Sequence, residues 1–159
     1  MGLLANWVDS GRCNVAVYRP QRDVWGEFDA FAECLWRKKG FTLFIDEASQ
    51  LQSPGQAHQW LDRFVRMCPS RDVHISQTMH RPRDAATICR SLATDWYIFR
   101  TTLQSDIDII AERCGDEMAA QVAAFPEGSH HVLHWDDAAA EGELLTEPAE
   151  WFESLEVGK

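Results

Sequence analysis

The stretch Phe41-Thr42-Leu43-Phe44-Ile45-Asp46-Glu47-Ala48 joins an apolar run to two adjacent carboxylates. Phe41–Ile45 is an almost continuous hydrophobic segment, the pattern of a strand covered on both faces. The acids follow at once, at the carboxyl end of that strand. In an open α/β sheet this is the edge where ligands bind.

On either side of this stretch strands and helices alternate. Toward the N-terminus, Val24, Phe28, Phe31 and Leu35 repeat at helical spacing, and Gly40 closes that helix. Before it, Asn14–Tyr18 reads as a short strand ended by Arg19-Pro20. Past the acids, a loop with Pro54-Gly55 leads to the stripe Leu61, Phe64, Val65 and Cys68, which Pro69 is expected to stop. Val73–Ser76 is a third strand. Pro82 suits a helix first turn ahead of Ala85, Ile88, Cys89 and Leu92, and Trp96–Phe99 reads as a fourth strand. Ser105 with Asp108 resembles a capping box in front of Ile107, Ile110, Ala111 and Cys114, and Gly115 ends that helix. Met118, Val122 and Phe125 mark another helix before Pro126, and His131–Trp135 is a last strand. This order implies a three-layer α/β fold with a mostly parallel sheet and helices on both faces. With no repeat and no low-complexity linker, residues 1–137 form one expected domain and 138–159 an acidic tail.

The chain has 159 residues and a net charge of −10, which argues against a protein coating nucleic acid with its whole surface. The charge is uneven. Residues 1–62 carry −2, residues 63–100 carry +4, and residues 101–159 carry −12. The middle segment holds Arg63, Arg66, Arg71, Arg81, Arg83, Arg90 and Arg100, a concentration able to face phosphates or to form an ordinary solvated surface. The acidic tail suits a protein partner. No apolar run is long enough to span a membrane, no secretory signal is evident, and the five cysteines show no CxxC pair. A cytoplasmic protein with reduced thiols is the expectation.

Four apolar residues followed by Asp-Glu are the pattern of a Walker B strand. An aspartate there holds the water shell of Mg2+, which prefers few carboxylates and several waters. The adjacent glutamate orients and polarises the water that attacks a γ-phosphoryl group. The plainer alternative makes Asp46 a turn cap and Glu47 a solvated side chain.

The segments FTLFIDEASQ, SRDVHISQTMHRP, LATDWYIFRTT and AAFPEGSHHVLHW, in this order, resemble the FtsK/HerA-type P-loop ATPases of the ASCE class. That group includes phage packaging and Zot-like ATPases, and the match spans roughly residues 14–135. The resemblance implies ATP and Mg2+ as ligands, with Asp46 on the metal, Glu47 as catalytic base and Gln77 as sensor. It also implies a homo-oligomeric ring in a bacterial or phage-infected cell, with Arg71, or second Arg100, as a trans-acting finger. DNA is the implied polymer, and Arg81, Arg83 and Arg90 are candidate contacts. The competing expectation is a degenerate, non-catalytic module that docks a protein partner through its acidic end.

No GxxxxGK[ST] loop occurs in the sequence. The expectation is therefore a domain truncated at its front, with Gly2–Gly11 as the second half of a helix that follows the absent loop. The resemblance places the first strand between Val73–Ser76 and Trp96–Phe99, so its loss should leave both with open edges, unless another segment fills the gap or the two strands close up; otherwise the isolated chain is poorly soluble. His130 and His134, with His131 between them and Asp136 beyond, form a weaker metal-site candidate. The seven tryptophans fit core or subunit contact better than base stacking. Without the phosphate loop's backbone N–H groups and lysine, this chain alone should bind Mg-ATP more weakly than micromolar. Titration calorimetry measures this, and a micromolar heat of binding would show the phosphate site to be misplaced.

Overall fold

A computed structural model describes residues 23–146. The strand expected at Asn14–Tyr18, the half-helix at Gly2–Gly11 and the stretch 147–159 lie outside the described residues. The described chain is α/β and divides into two compact units, one of residues up to 80 with 84–89, the other of 81–83 with everything from 90 onward. The sequence reading draws no boundary before residue 138. Each unit closes its own hydrophobic cluster, which no composition shift announces.

In the first unit, helix α1 (Val24–Trp36) starts at Asp23, whose carboxylate accepts from the Gly26 N–H at 3.1 Å. Strand β1 (Phe41–Ile45) follows. A 3-10 turn (Ala48–Gln50) and a small hairpin, β2 (Gln52–Ser53) with β3 (Gln56–Ala57), lead into helix α2 (Gln59–Arg71) and strand β4 (Val73–Gln77). Strands β1 and β4 pair in parallel, Phe41 opposite Val73 through Ile45 opposite Gln77.

Three expectations change here. The α2 helix runs through Pro69 to Arg71 instead of stopping. Proline removes the N–H that would reach Val65 O, and the Cys68 thiol donates to that carbonyl instead, at 3.3 Å. Asp72, at φ 54°, then ends the helix. Among the described residues, strand β1 is covered on one face. Leu43 and Ile45 are buried with Phe28, Ala32, Leu61 and Phe64, whereas Phe44 is 61% exposed. Alternation along a strand sends 43 and 45 to one side and 42 and 44 to the other. Finally, Pro82 opens a 3-10 turn (Pro82–Asp84), not a helix; α3 is confined to Thr87–Leu92.

In the second unit, strand β5 (Asp95–Phe99), helices α4 (Gln104–Cys114) and α5 (Asp116–Ala124), and strands β6 (Val132–Asp136) and β7 (Glu141–Leu145) follow in turn. The sheet order is β5-β6-β7, antiparallel throughout. Parallel pairing among the described residues is therefore that of β1 with β4. Ile98, Leu133 and Trp135 pack with Ile110, Val122 and Phe125 of the helical side. Ser105 does not cap α4, which begins at Gln104 after Leu103, with no side-chain cap. Its hydroxyl accepts from Arg81 instead. Gly115, at φ 89°, separates α4 from α5.

Residues 141–145, assigned to a tail by their acidity, continue the sheet, with Leu145 buried opposite Val132. Gly142 leaves room where a Cβ would stand 3.1 Å from both Leu133 and Trp135 side chains. Strands β4 and β5 each have one hydrogen-bonded neighbour among the described residues. Cys89 and Cys114 are buried, and burial pushes the Cys114 thiol up to about 11. Cys13 lies outside the described residues.

Phe64 is 1% exposed and touches Trp36, Phe41 and Trp60. Phe64→Ala should cost about 3–5 kcal/mol by cavity formation, read as a drop in the urea midpoint, while Met67→Ala on the exposed side of α2 should leave it nearly unchanged.

Candidate functional site

Asp46 and Glu47 stand at the carboxyl end of β1, where the parallel pair β1–β4 stops. The pairing does not end with the strands. Thr78 N–H donates to Ile45 O at 2.9 Å, and Ala48 N–H donates to Thr78 O at 2.8 Å. Between these two bonds the Thr78 hydroxyl accepts from the Glu47 N–H at 3.0 Å and donates to Asp46 Oδ1 at 2.6 Å. A hydroxyl has one proton. With its oxygen taking the amide N–H, that proton goes to the carboxylate, and the Asp46 side chain is held while Oδ2 is left for another ligand.

Glu47 adopts φ 52°, ψ 51°. A left-handed backbone is unfavourable for a residue with a Cβ, and it is held here because its N–H and that of Ala48 are both bound to Thr78. The Glu47 carboxylate accepts from Gln50 Nε2 at 2.9 Å and lies 3.6 Å from His80 Nε2. Both acids are exposed.

Gln77, the sensor candidate, faces elsewhere. Period-two alternation sets it on the same side of β4 as buried Val73. Its Oε1 accepts from Gln52 Nε2 at 2.9 Å, and Gln52, 5% exposed, accepts from the Ala86 N–H at 2.9 Å. This amide braces the interior beneath the rim, and the residue that reaches the acids is Thr78, one position later. Neither Thr78 nor Gln52 was singled out from sequence; the alternation of β4, counted from Val73, is the signal that would have separated Gln77 from Thr78.

The arginines separate as well. Arg71 is not presented as a free finger: it donates to Trp36 O, and to Lys38 O at 3.0 Å, with its Cζ 4.1 Å from the Trp36 ring centre. It serves the last turns of α1, whose carbonyls lack intrahelical donors. Arg81 is no free DNA contact, because its Nε pairs at 3.1 Å with Asp106, which is 1% exposed. A buried carboxylate needs such a partner. Arg83 and Arg100 are exposed, and Arg90 is half-buried in α3. Arg81, Arg83, Arg90 and Arg100 belong to the second unit, Arg63, Arg66 and Arg71 to the first. The single arginine field of the sequence is thus two sets.

The histidine cluster does not converge on a metal. His134 Nε2 lies 3.1 Å from Asp95 Oδ1 and the ring stacks on Tyr97, while His131 packs edge-on to Phe125. No group of three metal-ligating side chains occurs among the described residues. Asp46 is a single, half-occupied carboxylate. That fits Mg2+, which keeps most of its waters, and would not suit an ion needing an all-protein cage.

No protein-family model and no curated protein matches the sequence. Solved structures do. The genome packaging NTPase B204 from Sulfolobus turreted icosahedral virus 2, in complex with ATP-gammaS, superposes with TM-score 0.69 at 17% identity, over 83% of this chain and 65% of that one. Its complex with AMPPCP gives 0.69 at 16%, over 81% and 64%. B204, the DNA-packaging ATPase from Sulfolobus Turreted Icosahedral Virus, gives 0.66 at 18%, over 84% and 65%. The chain has a P-loop NTPase-like α/β fold. It spans about 65% of the length of these solved relatives in fold. Among the described residues no helix is long and apolar enough to cross a membrane.

Thr78→Val keeps the side-chain shape and deletes both hydroxyl bonds. Amide exchange at Glu47 should quicken about tenfold, equivalent to about 1.4 kcal/mol, and Thr78→Ser should restore the slow rate. Equal exchange rates in the Val variant and the parent would mean that the hydroxyl does not hold the acids.

Proposed function

We propose that the chain is the Walker B-bearing part of an ATP-hydrolysing motor that moves or packages DNA. The observation that carries this reading is the pair Asp46–Glu47, held by Thr78 at the carboxyl rim of a parallel strand pair in a P-loop NTPase-like fold. The rim is where an open α/β sheet receives a ligand, and the two acids differ in their fixation. Asp46 is tied through one oxygen and offers the other, which suits a residue holding hydrated Mg2+. When bound, that ion neutralises phosphate oxygens as charge shifts in the transfer. Glu47 projects into solvent on a fixed backbone, with Gln50 and His80 limiting where its carboxylate can turn. This is the requirement for orienting and polarising an attacking water.

Gln77 enters this reading as a brace that keeps the β4 end in place through Gln52, instead of as the phosphate sensor. Arg100, exposed directly after β5, is the better remaining candidate for a finger serving a neighbouring subunit in a ring. Such an arginine must present an unpaired guanidinium to phosphate oxygens. Of Arg81, Arg83 and Arg90, Arg83 is the exposed one and stays a candidate DNA contact. Glu153 stands where a phosphate loop ending in Gly158-Lys159 would need its first glycine, so hydrolysis needs phosphate contacts from outside this stretch of chain.

The test is steady-state ATPase on the chain extended upstream of Met1, compared with Glu47→Gln and Asp46→Asn. A motor predicts a loss of at least about 100-fold in Glu47→Gln with nucleotide binding retained, and loss of Mg2+-dependent binding in Asp46→Asn. Activity unchanged by Glu47→Gln would remove the assigned base. No turnover in any version, with intact protein docking, would favour the non-catalytic module.

A further inference from the structure

A second set of charges lies in the same unit as the acids, at the opposite end of its strands. Arg37, Lys38 and Lys39 precede β1, and Arg71 precedes β4 by two residues. Together with Arg63 and Arg66 of α2 they make six cations within residues 33–39 and 62–72, against the acids Glu33, Asp62 and Asp72 there; Arg37 lies 3.8 Å from Glu33 and Arg66 3.0 Å from Asp62. A local net of +3 in a chain of −10 is a marked reversal of sign.

The cluster is built around one ring. The Cζ atoms of Arg63 and Arg71 each lie 4.1 Å from the centre of Trp36, and Arg63 is also 5.1 Å from Trp60. The bonds from Arg71 to the carbonyls of Trp36 and Lys38 hold the basic turn against α2. Attraction to helix-end carbonyls accounts for Arg71. It does not account for Arg63, which sits in the middle of α2, or for Lys39, which lies beyond the end of α1.

Arg63 is exposed and makes no hydrogen bond or ion pair among the described residues. Stacking occupies the flat face of a guanidinium and leaves its in-plane N–H groups for acceptors, the fork that matches phosphate oxygens. Two guanidiniums beside one indole also repel each other. A polyanion relieves that repulsion and releases its own counterions on binding.

We propose that Arg37, Lys39 and Arg63, arranged around Trp36, form a surface for the phosphate backbone of duplex DNA, remote from the Asp46–Glu47 rim. The choice of duplex DNA rests on the motor reading; the preference for a phosphate backbone stands on the cluster itself. In this arrangement the first unit receives nucleotide at the carboxyl end of β1 and polymer at the amino end. Contacts of this kind position the duplex without reading its sequence.

Fluorescence anisotropy of a short labelled duplex, measured on the full chain without nucleotide, tests this independently of any hydrolysis. The parent should bind with an affinity that falls linearly with salt on logarithmic axes. The double variant Arg63→Gln/Lys39→Gln should bind at least tenfold more weakly at low salt, and its salt slope should fall by about 0.9 for each phosphate that is no longer neutralised. Arg83→Gln/Arg90→Gln should lower both quantities by less than Arg63→Gln/Lys39→Gln does. Lys39→Gln alone, at an exposed position, should weaken binding with no change in thermal midpoint, which guards against a folding defect in the double variant. Parent-like binding by the double variant, loss confined to the Arg83/Arg90 variant, a flat salt profile, or equal displacement by polyglutamate would each overturn the proposal.

Discussion

One hydroxyl holds the rim together. Thr78 continues the β1–β4 ladder past the strand ends through its own backbone, and its side chain fills the gap between the two backbone bonds. Without that group, the Glu47 N–H would lack its partner and its left-handed backbone one of the bonds that hold it, because nothing in a glutamate favours φ 52°. The order of the acids along the chain would be the same, but their directions would not be fixed. On the proposed reading, with one carboxylate on a hydrated ion and the next on a water, direction matters more than identity.

The interior below the rim is polar where it must be and apolar elsewhere. The Ala86 N–H is an unambiguous donor, so Gln52 must present Oε1 to it and Nε2 to Gln77. A single backbone group thereby sets the orientation of two side-chain amides. Buried polar groups are tolerated when satisfied in this way, and the result is a stiff floor tying the β2–β3 hairpin and the segment before α3 to the end of β4. Further from the rim, the core is aromatic, with Trp36, Phe41, Trp60 and Phe64 in mutual contact. The same Trp36 that packs in this core also has the guanidiniums of Arg63 and Arg71 against its ring. The acidic rim and the basic cluster occupy opposite ends of the same two strands, a polarity that the chain's overall negative charge conceals.

The strand and helix order was legible because apolar periodicity reports directly on which residues leave water. Phe41–Ile45, the α1 and α2 stripes, Gly115 as a break, and the strands at Trp96–Phe99 and His131–Trp135 all stand close to where the spacing puts them. The acids at the end of β1 were legible for the same reason. Errors arose where a local rule met a tertiary alternative. Pro69 fails to end α2 because a neighbouring thiol takes the orphaned carbonyl. Ser105 fails to cap α4 because Arg81, committed to buried Asp106, takes its hydroxyl. The acidic residues of β7 look like a tail because composition does not register that Leu145 closes against Val132.

From sequence alone, this protein had its α/β class, the adjacency of Asp46 and Glu47, and the location of that pair behind a strand, because these follow from residue order and side-chain period. Partner choice was settled only in three dimensions. Which polar residue reaches the acids, Thr78 and not Gln77, depends on the register of β4 against β1. Which arginines are spent and which are open depends on carbonyls and carboxylates brought near from distant parts of the chain, as with Arg71 at Trp36 and Arg81 at Asp106. Such contacts join residues some 25 to 35 positions apart, and no local pattern encodes a hydrogen bond whose second partner is chosen by packing.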